Sequence, residues 1–428
     1  MSASVWKRNS LGKIGNFSNG VNKPKEAFGH GTKFVNISDV FLPSLKIRDL
    51  DKVEISDNEK SFYGLKKDDL LFVRSSVKPD GVGYNTIFED SNEDIVFCGF
   101  VIRFRKSSYE IDAHFLNFLL RSPEYRKQII SFSTVSANTN INQVSLKRIE
   151  IEYPQDIKEQ KHISDILSTC DTVIQKTQKT IDKYRAIKQG MMQDLFTRGL
   201  TKDGKLRPLY KEAPELYKES ELGMIPKEWE IKTLGECSNK PEYGLNTPSI
   251  DYDGHIGYLR ITDIDDNSHK FMKEGITSPL EYSEEYKLTD GDLVFARTGA
   301  SVGKTYLYDS EDGNLYFAGF LIRFKILDSY CAKYIFYNTF LPQYKNWVIC
   351  YSMRTGQPGV NAEEFSTFKL PMPLFEEQIA IANRLSSIDS TIQKEEAILK
   401  KYKNIKTGLM AWLLTPPEDA EIIDETGE

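Results

Sequence analysis

Nowhere do the 428 residues offer an apolar run near the roughly 18 residues that a membrane-spanning helix needs. The opening Met-Ser-Ala-Ser-Val-Trp-Lys-Arg puts no apolar stretch behind its charges, so no secretory leader is expected. Cysteine is sparse: Cys98, Cys170, Cys237, Cys331 and Cys350 are scattered, odd in number and never spaced Cys-x-x-Cys. That pattern argues against a disulfide framework or a cysteine-held metal and for a reduced, cytoplasmic chain. The five histidines are equally dispersed. No glycine-rich loop opens a βαβ unit to hold a cofactor, and no Asn-Pro-Pro-Tyr-like or Asp-Pro-Pro-Tyr-like segment for adenine methylation occurs. Glu230-Ile-Lys232 resembles the tail of a nuclease motif, but its counterpart in the first half is Lys7-Arg-Asn9, without a suitable upstream acid. These absences weigh against a methyltransferase or a nuclease. No metal and no cofactor are expected on the chain, and no membrane partner.

Positive charge is also short. Net charge is −6, and no segment forms the basic stripe that would bind phosphate strongly by itself. Residues 1–153 carry 22 Lys+Arg against 19 Asp+Glu, whereas residues 220–373 carry 15 against 22. Any binding to DNA must draw on local patches or on partner subunits.

What the chain does have is itself, twice. Asp69-Leu-Leu-Phe-Val-Arg74 matches Asp292-Leu-Val-Phe-Ala-Arg297, and Gly99-Phe-Val-Ile-Arg-Phe-Arg105 matches Gly319-Phe-Leu-Ile-Arg-Phe-Lys325. Glu159-Gln160 matches Glu377-Gln378, and Ile174-Gln-Lys176 matches Ile392-Gln-Lys394. So long a period means two copies of a whole domain. Each copy opens with short apolar and aromatic runs punctuated by Gly, Asn and Asp, which predicts strands, and adds a short helix.

A long helix closes each copy. Its apolar positions are Ile163, Leu167, Cys170, Ile174, Ile181, Tyr184, Met191 and Leu195 in the first, and Ile381, Leu385, Ile388, Ile392, Leu399, Tyr402, Leu409 and Leu413 in the second. The 4,3,4 stepping is a period of 3.5, that of a coiled coil. Breaks correspond too, at Thr177 and Glu395 and at Lys188 and Lys406. Asp156 with Glu159 reads as an N-terminal cap, and Gly199 or Thr415-Pro-Pro417 as stops. Some 35 residues give a rod of roughly 50 Å. Each helix could bury its stripe on its own domain, but the shared register favours mutual packing. The expected fold is α+β: two β-rich domains, each followed by a long helix, with the helices pairing as an antiparallel coiled coil in a pseudo-twofold tandem repeat. Expected boundaries are 1–153 and 227–373 for the β-rich domains, 154–198 and 374–415 for the helices, 199–226 for a linker and 416–428 for an acidic tail.

Three segments carry a family resemblance. Ser220-Glu-Leu-Gly-Met-Ile-Pro226 with Trp229 and Leu234-Gly235 resembles the opening of the second target-recognition domain of type I restriction–modification specificity subunits. Phe295-Ala-Arg-Thr-Gly299 with Gly303-Lys304 resembles their Arg-Thr-Gly…Gly-Lys loop, and Pro371-Met-Pro-Leu-Phe-Glu-Glu-Gln378 the start of their conserved helix. The resemblance implies a DNA-reading subunit without a catalytic centre. Each β-rich domain would read half of a split site in double-stranded DNA, and the helices would set the spacer. Two modification (methyltransferase) subunits would dock, and restriction/translocase subunits could join. S-adenosylmethionine, ATP and Mg are then expected on those partners only. The first copy departs from the pattern: its loop Arg74-Ser-Ser-Val-Lys-Pro-Asp-Gly-Val-Gly83 is three residues longer, and Tyr84 stands where Lys304 does.

Candidate DNA contacts follow from side-chain chemistry. Arg74 and Arg297 each end a strand and start a loop, where a guanidinium can meet phosphate or a guanine edge, unless it pairs with Asp69 or Asp292. Ser75, Ser76 and Lys78 extend the first loop; Thr298, Ser301 and Lys304 extend the second. Asn138 and Asn140, just before Asn142, are matched by Arg354 and Gln357, just before Asn361. Asn246 lies in an early loop comparable to Gly20-Val-Asn-Lys23. Arg103 and Arg323, inside Ile-Arg-Phe strands, are expected on a solvated sheet face. A protein-interaction scaffold that never touches DNA, and a specificity subunit for a fused restriction–methyltransferase polypeptide, are the other readings.

Overall fold

The computed structural model describes the chain except for residues 1–4, 42–44, 46, 90–91, 136–137, 354–357 and 427–428. It divides into two compact units, Met1–Thr180 with Glu395–Glu428, and Ile181–Lys394. The expected linker, 199–226, lies wholly within the second unit.

The first unit begins with β1 (Val5–Ser10), α1 (Leu11–Ile14), β2 (Gly15–Asn19), β3 (Phe28–Val35), α2 (Ile37–Val40), β4 (Asp51–Val53) and α3 (Asp57–Tyr63). It continues with β5 (Asp69–Val73), β6 (Ser75–Ser76), β7 (Asn85–Phe88), β8 (Ile95–Phe97) and β9 (Val101–Lys106). Then come α4 (Ala113–Arg121), α5 (Pro123–Ser131), β10 (Thr134–Val135), β11 (Thr139–Asn140), α6 (Gln143–Lys147), β12 (Glu150–Pro154) and the long α7 (Ile157–Thr197), which belongs to the second unit from Ile181 on.

The second unit repeats this plan. A hairpin of β13 (Tyr217–Ser220) and β14 (Gly223–Pro226) precedes β15 (Glu230–Thr233), β16 (Glu242–Tyr243), β17 (Ser249–Asp251), β18 (Gly257–Leu259) and β19 (Thr277–Pro279). After β20 (Asp292–Ala296), β21 (Thr305–Leu307), β22 (Leu315–Phe317) and β23 (Leu321–Lys325) stand α8 (Ala332–Asn338), α9 (Pro342–Ser352), α10 (Ala362–Ser366) and β24 (Lys369–Met372). The long α11 (Phe375–Leu413) follows; from Glu395 on it belongs to the first unit, as does a last strand, β25 (Glu421–Asp424).

The four-stranded sheet of order β2-β9-β5-β7 in the first unit has its counterpart in β16-β23-β20-β21 of the second. A parallel pair also recurs in each unit, β3 with β8 in the first and β18 with β22 in the second. The continuous apolar runs have a direct reason. Leu70 and Phe72 of β5 enter one buried cluster while Leu71 and Val73 enter another, so the strand is covered on both faces. In β20, Leu293 and Phe295 divide from Val294 and Ala296 in the same way.

Within the first unit, Ile163 and Leu167 of α7 lie in a core that includes Phe115, Leu116 and Leu119 of α4, and Leu409, Met410 and Leu413 of α11 pack on it. Within the second, Ile381 and Leu385 of α11 share a core with Tyr334 and Ile335 of α8 and with Met192, Leu195 and Phe196 of α7. The two helices therefore pair antiparallel inside each unit. The first turns of each stripe also bury on the β-rich domain that precedes them, so the seam is not a helix–helix contact throughout. Ile181, Ile392 and Leu399 are buried, whereas Ile174, Tyr184 and Tyr402 are half-buried.

The lysines that interrupt the apolar period find anions. Lys406 pairs with Asp171 at 2.5 Å and lies over the Phe118 ring; Lys188 pairs with Asp389 at 2.7 Å and lies over Tyr337 and Phe340. Because Asp171 corresponds to Asp389 and Lys188 to Lys406, one repeated pair occurs once in each unit. The cap on α7 is present as well: the Lys158 N–H donates to Asp156 Oδ1 at 2.8 Å.

The resemblance motifs acquire structural work. Gln160 Nε2 donates to the Glu110 and Pro154 carbonyls while its Oε1 accepts from the Asp112 N–H, locking the start of α7 to the approach of α4. Gln378 does likewise for the Pro373 carbonyl and the Cys331 N–H. Glu377 accepts from Arg207, from the Leu200 N–H and from the indole of the fully buried Trp229. Gly199, with φ +63, ends α7 against this cluster; a Cβ there would stand 2.2 Å from Glu377 Oε1 and 2.3 Å from Trp229. The acidic tail gave no strand signal in sequence, yet β25 lies parallel to β1, with Asp424 near Arg8 and Glu425 bonded to Lys7 and Asn9. It is recruited by basic side chains and an open strand edge.

A double-mutant cycle on Lys188→Ala and Asp389→Ala, read by urea unfolding, is expected to give a coupling of about 1–2 kcal/mol, between the values for exposed and buried pairs. Simple additivity would contradict the assignment.

Candidate nucleic-acid interface

In the first unit, β5 delivers Arg74 to a fixed place. The Arg74 N–H donates to the Phe100 carbonyl at 2.9 Å, the Ile141 N–H donates to the Arg74 carbonyl at 2.9 Å, and Nη1 donates to the Gly99 carbonyl at 3.3 Å. The next residues form β6, which pairs Ser75 with Asn140 and Ser76 with Thr139. That pairing brings two segments 65 or so residues apart in sequence to one cleft of about 640 Å³, where Ser75, Ser76, Lys78 and Asn138 meet the exposed Phe100. Asn140 donates to the Asn138 carbonyl at 2.9 Å.

The second unit builds the same corner with other chemistry. The Arg297 N–H donates to the Phe320 carbonyl at 3.1 Å and the Val360 N–H to the Arg297 carbonyl at 2.9 Å. Thr298 bridges to Gly359. A cleft of about 680 Å³ collects Arg297 and Asn246 with Tyr243, Thr247, Arg260 and Phe320. Ser301 is not among the residues of this cleft; it sits in the short turn Gly299–Ser301 that closes the β20–β21 connection. Gly303 needs to be glycine there: its φ is +82, and a Cβ would stand 2.7 Å from Val348.

Several candidates have structural duties. Asp69 is bonded by Arg105 at 2.7 and 2.6 Å and Asp292 faces Arg323 at 3.5 Å, so neither acid neutralises Arg74 or Arg297. Burial pushes the Asp292 carboxyl above its usual range. Arg323 is 8% exposed, held by Glu242 and by the Lys287 and Glu285 carbonyls, and Arg103 is half-buried on the Gly64 carbonyl. The solvated face expected for these two arginines is thus corrected: helices and loops cover that side of the sheet. Lys304 donates to the Ile264 carbonyl at 3.0 Å and pairs with Asp266, which makes it a strut between loops. Tyr84, in its place, lies under the guanidinium groups of Arg121 and Arg126 at 4.7 and 5.7 Å. Asn142 and Asn361 cap α6 and α10, accepting from Ser145 and Glu364 N–H groups at 2.9 Å. Arg354 and Gln357 lie outside the described residues.

Sequence reasoning passed over Phe100 and Phe320, Tyr243, Arg260 and the Arg121–Tyr84–Arg126 stack. The signal for the two phenylalanines was available: each follows the repeated glycine of the β8–β9 or β22–β23 turn, and each is more than half exposed. Among the described residues no group of three His, Cys, Asp or Glu side chains is placed to hold a metal, and no helix is long and apolar enough to cross a membrane.

Comparison with known proteins agrees with this repeated design. The model of the type I restriction modification DNA specificity domain matches twice, over residues 4–183 and 226–404. A Methanocaldococcus jannaschii chain named as the MjaX specificity subunit of a type I restriction enzyme is 26% identical over 393 residues, which are 90% of this chain and 86% of that one. The EcoKI specificity subunit of Escherichia coli is 25% identical over 329 residues, 74% of this chain and 65% of that one. In fold, the chain is similar to the crystal structure of a type I restriction–modification S subunit from M. genitalium, with a TM-score of 0.63, 14% identity and 97% of each chain covered.

The strut role of Lys304 is testable through salt dependence. A phosphate contact contributes about 0.9 to the slope of log affinity against log salt. In any complex the chain forms with DNA, Lys304→Met is expected to leave that slope unchanged; a fall of about one unit would make Lys304 a phosphate contact.

Proposed function

Because the chain belongs to the type I restriction–modification DNA specificity family, we propose that it reads a bipartite, asymmetric site in double-stranded DNA, one half with each β-rich domain. The observation that carries this is the duplicated corner: in each unit an arginine ends a buried strand and is fixed by the backbone of an exposed-phenylalanine turn that borders a cleft, which Arg297 itself also lines in the second unit. The linings differ, with hydroxyls, Lys78 and Asn138 in the first and Arg297, Arg260 and Asn246 in the second, so the halves of the site differ too. The chain itself performs no chemistry. Two modification subunits dock on the helices, carry S-adenosylmethionine and methylate adenine in the cytoplasm. Restriction/translocase subunits supply ATP- and Mg-dependent cleavage where they are present.

In this reading the paired helices set the unread gap. Their seam advances by heptads, so a length change must be matched in both helices to keep the lysine–aspartate register.

Two outcomes follow. Replacing residues 1–153 by another recognition domain of the family is expected to change one half-site only, as read from methylated adenines; a change in both halves defeats the modular reading. Seven residues inserted at matched levels of α7 and α11 add about 10 Å. The gap is then expected to lengthen by about three base pairs, and an unaltered gap refutes the ruler.

A further inference from the structure

We propose that Arg297 reads a guanine in the second half-site, using a guanidinium held in place by Tyr243 and Phe320. This rests on the DNA-reading function proposed above and names the base.

Arg297 stands apart from its neighbours in the second unit. Arg260 is bonded through two nitrogens to Asp263, Arg323 is buried with Glu242 and Asp292, and Arg207 is buried with Glu377 and Glu228. Arg297 has no carboxylate partner among the described residues. Its one side-chain hydrogen bond there runs from Nε to the Gly319 carbonyl at 3.1 Å. With Nε committed, the two terminal nitrogens keep their four N–H donors, a planar fork of the shape that meets guanine O6 and N7 together.

The setting fixes this fork. The Tyr243 ring lies 5.1 Å and the Phe320 ring 5.9 Å from the guanidinium carbon. Both rings are otherwise exposed, at 42% and 60%, on the rim of the cleft that also holds Asn246. Aromatic faces attract the cation without taking its N–H donors, so they orient the group and leave its edge for a ligand. Strand geometry explains the placement: β16 pairs Tyr243 with Ile322, beside the turn that carries Phe320. In the first unit the same register position, opposite Ile102, is held by Asn19. Arg74 there donates from Nη1 to the Gly99 carbonyl at 3.3 Å, so a different edge of its guanidinium is tied down. The Tyr243 side of the aromatic setting that orients Arg297 is therefore built in one domain and not in the other.

Charge points the same way. The second domain carries more acids than bases, so it gains little from general attraction to phosphate and depends more on contacts to bases.

The test compares methylated-adenine maps and cognate-DNA binding of the assembled wild type, Arg297→Lys and Arg297→Ala. Lysine keeps the charge and loses the planar fork. The expected result for both variants is relaxation at one guanine of the second half-site, with roughly 10- to 100-fold lost discrimination there and the first half-site untouched. If Arg297 met phosphate instead, Arg297→Lys would retain the wild-type motif and Arg297→Ala would weaken all sequences alike with a shallower salt slope; that result, or no change in either variant, overturns the proposal. A wild type without any two-part motif would instead refute the underlying DNA-reading function. Should Arg297→Ala fold poorly, Arg297→Lys and Tyr243→Leu, expected to relax the same position more mildly, carry the test.

Discussion

An ammonium group carried into a helix seam gives up water and must find an anion, and that requirement fixes the register of the long helices. In the first unit Lys406 meets Asp171, and in the second Lys188 meets Asp389. An apolar seam tolerates sliding by a heptad far better than a seam with one lysine and one matching aspartate. Around each pair the helices bring their flanking turns to different tasks. One end buries on the domain just completed and the other supplies Leu195 and Phe196, or Leu413 and Leu414, to a core built mostly from the other copy of the repeat.

The duplication was legible because it was written in residues with no freedom. Leu70–Val73 and its copy are buried on both faces, and Gln160 and Gln378 each fill a slot with three or two hydrogen bonds. The heptad stripe announced the helices, and even its lysine breaks had meaning.

Polar side chains were harder to read, because an amide or ammonium looks alike in sequence whether it faces DNA or the fold. Asn142 and Asn361 turned out to cap helices, and Lys304 to brace a loop. The strand arginines met carboxylates and carbonyls distant in sequence, so alternation alone misplaced them. The strand in the acidic tail depends on Lys7, Arg8 and Asn9 at the other end of the chain, where no local pattern could reveal it. The pairing of β6 with β11 lies between these extremes: both loops were singled out, but only the fold unites them.

As proposed, one non-catalytic chain reads DNA with two unlike heads at a fixed separation. The most direct test is a map of methylated adenines in a host expressing the wild-type chain with its modification subunits. The account predicts a single motif of two different parts around a gap of constant length, and no methylation or cleavage by the chain alone. A continuous motif, a gap of variable length, or modification without partners would contradict it.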